Sequence, residues 1–312
     1  MTDRRNFLKS ALPLGLGLGV LPMQEIFGAQ KPNVAAVSSA KIKIGLNAWS
    51  YYVQLYKYQK GEVGGMSLID MLEECARLEF DAVDPTGYFF PGYPAKPERK
   101  FINDFKRRAF QLGLGISGTG IRNDFATVDK SKRNADIALA KTWIEVAAEM
   151  GAPVLRVFAG VQPKEHTWDE TAVWMAEALA ECAEHGKQYG VIVGVQNHGD
   201  MLKSADEVIK ILKMVNSDWL GTIVDTGFLL TPDPYADIAR VIPYAVNWQV
   251  KELLGDRKGG KIDMNKLVAI IRNSNYRGYV PIETLPAPDP NVPYDAMTKV
   301  PELLGELRKA LE

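Results

Sequence analysis

The chain has 312 residues, of which 46% are hydrophobic and 24% charged, with a formal net charge of -1. These fractions are ordinary for a soluble globular protein and exclude disordered and fibrous classes. A near-neutral balance leaves no concentrated basic face for nucleic acid, and three histidines are too few for a site built on histidine clusters.

Residues 1–40 read as a leader and a linker. Arg4-Arg5-Asn6-Phe7-Leu8-Lys9 resembles a twin-arginine export motif. Ala11–Val20 follows as an uncharged run too short to span a bilayer. Cleavage points are offered by Val34-Ala35-Ala36 and Ser38-Ser39-Ala40. Cleavage after Ala36 removes Arg4, Arg5, Lys9 and Lys31 with Asp3 and Glu25, and leaves a more acidic mature chain. The expectation is a periplasmic or otherwise exported protein with no membrane span in the mature part; a cytoplasmic protein with a basic tail is the alternative. Cys75 and Cys182 lie in helix-like segments without metal or redox spacing and read as core thiols.

From Lys41 onward, strand and helix patterns alternate, as in a parallel α/β fold. Ile42–Trp49 is the first strand, followed by a Tyr-rich loop and a helix over Ser67–Leu78 with Ser67 as its cap. Phe80–Asp84 is the second strand, and the aromatic, Pro- and Gly-containing loop Pro85–Pro97 comes after it. A helix then runs to Leu112, where Gly113 stops it. Leu114–Gly118, Val154–Phe158 and Val191–Gln196 are strands three to five, separated by helices over Asn134–Met150 and Asp169–Tyr189. A helix over Ala205–Val215 precedes Thr222–Asp225, Ala245–Lys251 and Tyr279–Glu283, which are strands six to eight. Their helices are Tyr235–Ile242, Met264–Asn273 and Pro293–Leu311. Eight such pairs with apolar strands predict a single-domain α/β fold, a (β/α)8 TIM barrel over 41–312. An open doubly wound sheet would prefer a Gly-rich phosphate loop after strand one, and Asn47-Ala48-Trp49-Ser50 is nothing like one.

In such barrels, catalytic groups sit where strands end. Strand five breaks into Gln196-Asn197-His198, strand six into Asp225-Thr226-Gly227, strand seven into Gln249-Val250-Lys251-Glu252 and strand eight into Glu283-Thr284. On these motifs the chain resembles the xylose isomerase-like TIM barrels of the sugar phosphate isomerase/epimerase superfamily, over Lys41–Leu311. In that family the corresponding strands end in Glu, Asp, His and Glu around one divalent metal. The resemblance therefore implies a metal set of Gln196, Asp225, Gln249 and Glu283, in which Asp225 and Glu283 match the family and the two glutamines depart from it.

Two carboxylates and two neutral amide oxygens suit one hard divalent ion, Mn, Mg or Ca, better than zinc. The other reading is that the glutamines hydrogen-bond within the mouth and hold no metal. The resemblance also implies proton abstraction beside a carbonyl, with one carboxylate on each side of the substrate. An amide cannot act as a base at neutral pH, so Gln196 removes one of the two.

Strand periodicity puts His198 on the face of Gln196 and Lys251 on that of Gln249. His198 is thus a candidate proton carrier, Lys251 a candidate oxyanion holder and Glu283 the base. Trp49, Asn197, Arg122, Asp84 and Tyr88, at other strand ends and loops, are candidate substrate contacts. Trp49, Tyr51, Tyr52, Tyr88, Phe89, Phe90 and Tyr93 form an aromatic group suited to sugar rings. Arg156, inward-facing in strand four, is expected to pair with Asp84 or another strand carboxylate.

The expected function is a metal-dependent sugar isomerase or epimerase with a metal-held enediolate. A 3-keto-glycoside lyase or hydratase with a single base is the first alternative, and a non-catalytic sugar-binding barrel the second. Expected partners are a small carbohydrate, no nucleic acid and, with nothing against it, further copies of the chain in a homo-oligomer. An abasic-site endonuclease on the same fold would need several metals, many histidines and a basic face.

Overall fold

The computed structural model describes residues 42–198, 201–289 and 291–312. The leader, its twin-arginine motif and its cleavage points lie outside the described residues, as do Gly199 and Asp200.

Nine short strands build the centre: β1 (Lys43–Asn47), β2 (Ala82–Asp84), β3 (Gly115–Ile116), β4 (Thr119–Gly120), β5 (Val154–Phe158), β6 (Ile192–Gln196), β7 (Leu220–Asp225), β8 (Ala245–Gln249) and β9 (Tyr279–Ile282). All neighbouring pairs are parallel, in the orders β3-β2-β1-β9 and β4-β5-β6-β7-β8. Single parallel bridges, Thr86 to Gly120 and Val250 to Ile282, join the two runs at either side. The ring closes with eight staves, because β3 and β4 are halves of one strand interrupted at Ser117-Gly118. The expected unbroken strand Leu114–Gly118 is interrupted here, at a glycine packed so closely that a Cβ would stand 2.9 Å from Asn247 Nδ2 and 3.2 Å from Asp84 Oδ2.

Helices cover the outside: α1 (Tyr52–Gln59), α2 (Leu68–Arg77), α3 (Arg99–Gln111), α4 (Lys130–Met150), α5 (Trp168–Tyr189), α6 (Ala205–Val215), α7 (Pro234–Val241), α8 (Met264–Arg272) and α9 (Ala296–Leu311). Alternate strand residues such as Leu155, Val193, Val224, Trp248 and Val280 are fully buried in the hydrophobic core. Inside the ring, small residues oppose large ones. A Cβ on Gly194 would lie 2.5 Å from Ile223 Cδ1, so the glycine beneath Gln196 makes room for that isoleucine.

Caps fix most boundaries. Ser67 makes a reciprocal capping box with Asp70, and Gly151 and Gly190 close α4 and α5 in the left-handed conformation. The Tyr-rich segment after the first strand is helical rather than a loop. Asn47 ends β1 by accepting the Trp49 N–H at 2.9 Å, and the chain turns directly into a short 3-10 helix and α1. Helix α4 begins four residues earlier than its apolar pattern suggests, because Asp129 caps the Ser131 and Lys132 N–H groups. Cys75 and Cys182 are free and buried.

Candidate functional site

At the strand C-termini lies a cavity of about 530 Å³, within the range of small-molecule sites. Gln196, Gln249, Lys251 and Glu283 line its floor. Each ends or follows a strand with an apolar, β-branched exterior, so the inward alternation of the strand delivers a polar side chain to the ring.

The four floor positions and Asp225 are tightly interlocked. Gln196 Nε2 donates to Asp225 Oδ2 and to Gln249 Oε1, both at 2.6 Å. Lys251 Nζ donates to Glu283 Oε1 and to Gln249 Oε1, the latter at 3.4 Å, and lies 3.4 Å from Asp225 Oδ2. Asp225 Oδ1 accepts the Gly227 N–H at 3.0 Å. Lys251 is only 2% exposed, and its backbone N–H is held by Thr226 Oγ1 at 2.9 Å. Burial alone would pull the ammonium pKa down; Asp225 and Glu283 outweigh it, and the pKa ends above that of a free lysine. Burial pushes the Asp225 carboxyl up to about 6, against the opposing charge of Lys251, so it is still mostly ionised at neutral pH.

His198 stands on the wall, stacked on Phe228 with 4.2 Å between ring centroids and edge-on to Phe158 at 4.9 Å. Burial, then the positive charges of Lys251 and Arg156, push its pKa down to about 3. The imidazole is therefore neutral. At the mouth, Trp49 stacks on Tyr52 at 5.0 Å and meets Tyr88 edge-on at 5.9 Å. Arg122, exposed, lays its guanidinium over Tyr88 at 5.0 Å. All four line the cavity.

Two expected substrate contacts stand back from it. Asn197 joins β6 to β7, donating to Asp225 O at 2.8 Å and accepting the Asp225 N–H at 2.9 Å, and is absent from the cavity wall. Asp84 accepts Asn247 Nδ2 at 2.8 Å beneath the floor, where burial raises its carboxyl to about 7 against the pull of Arg156. Tyr51, Phe89 and Phe90 leave the mouth for the hydrophobic core.

Arg156 does not form the expected ion pair with Asp84 or another strand carboxylate: its hydrogen bonds go to a backbone carbonyl and a tyrosine hydroxyl instead. Its guanidinium donates to Ile121 O at 2.6 Å and to Tyr88 Oη, stacks over Phe158 at 4.1 Å and reaches the cavity. Gly120 makes this position available, since a Cβ there would sit 2.6 Å from Arg156 Nε. Strand alternation already put Arg156 inside. Phe228, which holds His198, carried no such signal, because its place depends on the loop after β7.

These side chains fit a divalent ion poorly. Gln196 turns an N–H donor, not a lone pair, toward Asp225 and Gln249, and the Lys251 ammonium already lies against three of the four expected ligands. Among the described residues no group of three or more His, Cys, Asp or Glu could hold a metal.

The family model described as xylose isomerase-like TIM barrel matches residues 72–306. The chain belongs to that family. Solved structures share the fold of this xylose isomerase-like barrel at low identity. The 3-keto-D-glucoside 4-epimerase YcjR from E. coli aligns with 14% identity and a TM-score of 0.69, over 86% of this chain and 100% of that one. D-psicose 3-epimerase from Clostridium cellulolyticum H10, solved with D-tagatose, aligns with 16% identity and a TM-score of 0.67, over 87% and 100%. The IolI protein, solved with a zinc atom, aligns with 14% identity and a TM-score of 0.68, over 86% and 96%. A search of curated proteins finds no match. Among the described residues of the barrel, no helix is long and apolar enough to cross a membrane.

Proposed function

We propose that this barrel is an isomerase/epimerase-type enzyme that removes a proton next to the carbonyl of a small carbohydrate and returns it. The observation that carries this reading is the contact between Glu283 and Lys251 on the cavity floor. Lys251 engages Oε1 of Glu283, and Oε2 is the oxygen for the proton. As the C–H bond breaks, its electron pair moves onto the carbonyl oxygen, and a buried ammonium is suited to hold the resulting oxyanion. Return of the proton to the former carbonyl carbon, with the proton of the adjacent hydroxyl passing to the oxyanion, gives isomerisation. Return to the opposite face of the same carbon needs a second carrier, and neutral His198 is the candidate on the wall. Trp49, Tyr88 and Arg122 suit the sugar ring and its hydroxyls.

The sequence alone favours a divalent Mn, Mg or Ca ion as the source of positive charge; the cation beside Glu283 on the cavity floor is the Lys251 ammonium. A second reading, β-elimination or hydration on a 3-keto-glycoside, is favoured by Gln196, which leaves Glu283 as the carboxylate among the strand-end residues that line the cavity floor. The kinship of fold with barrels described as sugar epimerases supports the carbohydrate class.

Incubating the protein with free ketoses and 3-keto-glucosides in deuterated water tests the proposal by NMR. Deuterium at the α-carbon of an intact sugar supports the epimerase reading, and release of the glycosidic substituent supports the lyase. Binding without exchange would overturn both and leave a sugar-binding barrel. The Arg4-Arg5 motif supports export of the protein; fractionation of cells carrying the full chain, with and without Arg4→Lys and Arg5→Lys, tests it.

A further inference from the structure

We propose that the Lys251 ammonium is the resident cation of this barrel, occupying the centre of the four strand-end positions in place of a divalent metal ion. The proposal rests on the preceding reading only for the use made of the charge; the occupancy itself follows from the geometry.

Three acceptors converge on the ammonium: Glu283 Oε1, Gln249 Oε1 at 3.4 Å and Asp225 Oδ2 at 3.4 Å. An ammonium has three donors and no acceptor; two go to Glu283 Oε1 and Gln249 Oε1, Asp225 Oδ2 stands at ion-pair distance, and the third donor is left for an oxyanion. Two carboxylates around one monovalent cation leave less excess negative charge than three would, which accounts for an amide at Gln196. That amide has a second task. By directing Nε2 at both Asp225 Oδ2 and Gln249 Oε1, at 2.6 Å each, it gives those oxygens a closer donor than the ammonium at 3.4 Å. Turning it over to offer Oε1 inward would bring oxygen to 2.6 Å from two other oxygens.

The chain is also shaped to let the lysine stem in. A Cβ on Gly227 would come to 2.9 Å from Lys251 Cγ and 3.3 Å from Lys251 Cβ. The Asp225-Thr226-Gly227 turn thus accommodates Lys251 twice, by the Thr226 hydroxyl on its backbone N–H and by the space above Gly227. Gln196 Oε1 is buried and has no partner among the described residues.

The test uses the full purified chain, dialysed separately against Mn2+, Zn2+, Mg2+ and Ca2+, with elemental analysis and thermal melting as readouts. No stoichiometric ion, and a melting temperature unchanged by ions or by EDTA, is the expected result. One ion per chain, or a rise of several degrees with any of the four, would overturn the proposal. Lys251→Met supplies the second arm. Removing the ammonium should lower the melting temperature by several degrees, and Mn2+ should recover much of that loss in the variant alone. A folded variant indifferent to all four ions would also overturn it. Should the variant fail to fold with and without Mn2+, the ion content of the unaltered chain decides. Absence of deuterium exchange on every sugar tried would count against the proposed reaction while leaving these binding results readable.

Discussion

Gln196 presents its amide nitrogen to Asp225 Oδ2 at 2.6 Å, with both groups buried. This contact holds an acidic strand end beside an amide, at a position where the family resemblance implies a second acid. Gln196→Glu would set a carboxylate against Asp225 with a single ammonium to serve three acids. The expected loss of stability is about 3–5 kcal/mol. A proton on the new carboxyl removes the repulsion, so the deficit should be greater at pH 8 than at pH 5. Urea denaturation at the two pH values measures it; equal deficits would mean the two groups do not touch.

Glu283→Gln keeps the shape of the side chain and removes its basicity. Turnover on any substrate identified by deuterium exchange should fall by about 10²- to 10⁴-fold, with an unchanged circular dichroism spectrum. Near-normal exchange would assign the base elsewhere.

His198 is expected to stay neutral across the physiological range. Its folded pKa, about 3, lies below the ordinary value of 6.5. The unfolded state therefore binds more protons between those values, and stability is fully present above pH 6.5 and declines as pH falls below it. NMR titration of the imidazole should show no inflection between about pH 5 and 8. A midpoint near the ordinary value would mean the Phe228 stack is open in solution.

Asn197→Ala separates a structural role from contact with a sugar. Losing the paired bonds to the Asp225 backbone should cost about 1–3 kcal/mol while KM changes little. A large rise in KM with unaltered stability would return Asn197 to the cavity wall.

Gly120→Ala places a methyl group against the Arg156 guanidinium. Overpacking of this kind costs about 1–3 kcal/mol, and because Arg156 also holds Tyr88, sugar affinity should weaken alongside the melting temperature. A melting temperature equal to that of the unaltered chain would show that Arg156 moves aside freely.

The barrel itself was legible because its strands and helices carry strong local signals. Ala205–Val215 was readable at both ends, since Ser204 caps it and Asn216 closes it in the left-handed conformation. Strands ending at Gln196, Asp225 and Gln249 were equally plain, each an apolar run broken by a polar residue. Helix α1 was hidden: Tyr52-Val53-Gln54-Leu55-Tyr56 has little amphipathic pattern, and it has no side-chain cap of its own, following directly on the 3-10 helix that Asn47 caps. Alternation along a strand identified the face of Lys251 but not its depth. A lysine stem can reach solvent or fold inward, and the choice is made by Gly227 and two carboxylates on other strands. For the same reason Asp84 was assigned to the sugar: period two distinguishes inside from outside, not the cavity from the layer beneath it.

Trp49 lies at the cavity mouth, stacked on Tyr52, and of the six tryptophans it is the one that lines the cavity among the described residues. Its indole is thus a built-in optical reporter. Entry of a sugar displaces water from one ring face while the other five indoles keep their surroundings, so a change in emission intensity reports arrival alone. Candidate sugars can be ranked this way without a chromophore or a coupled assay, whatever product each one gives.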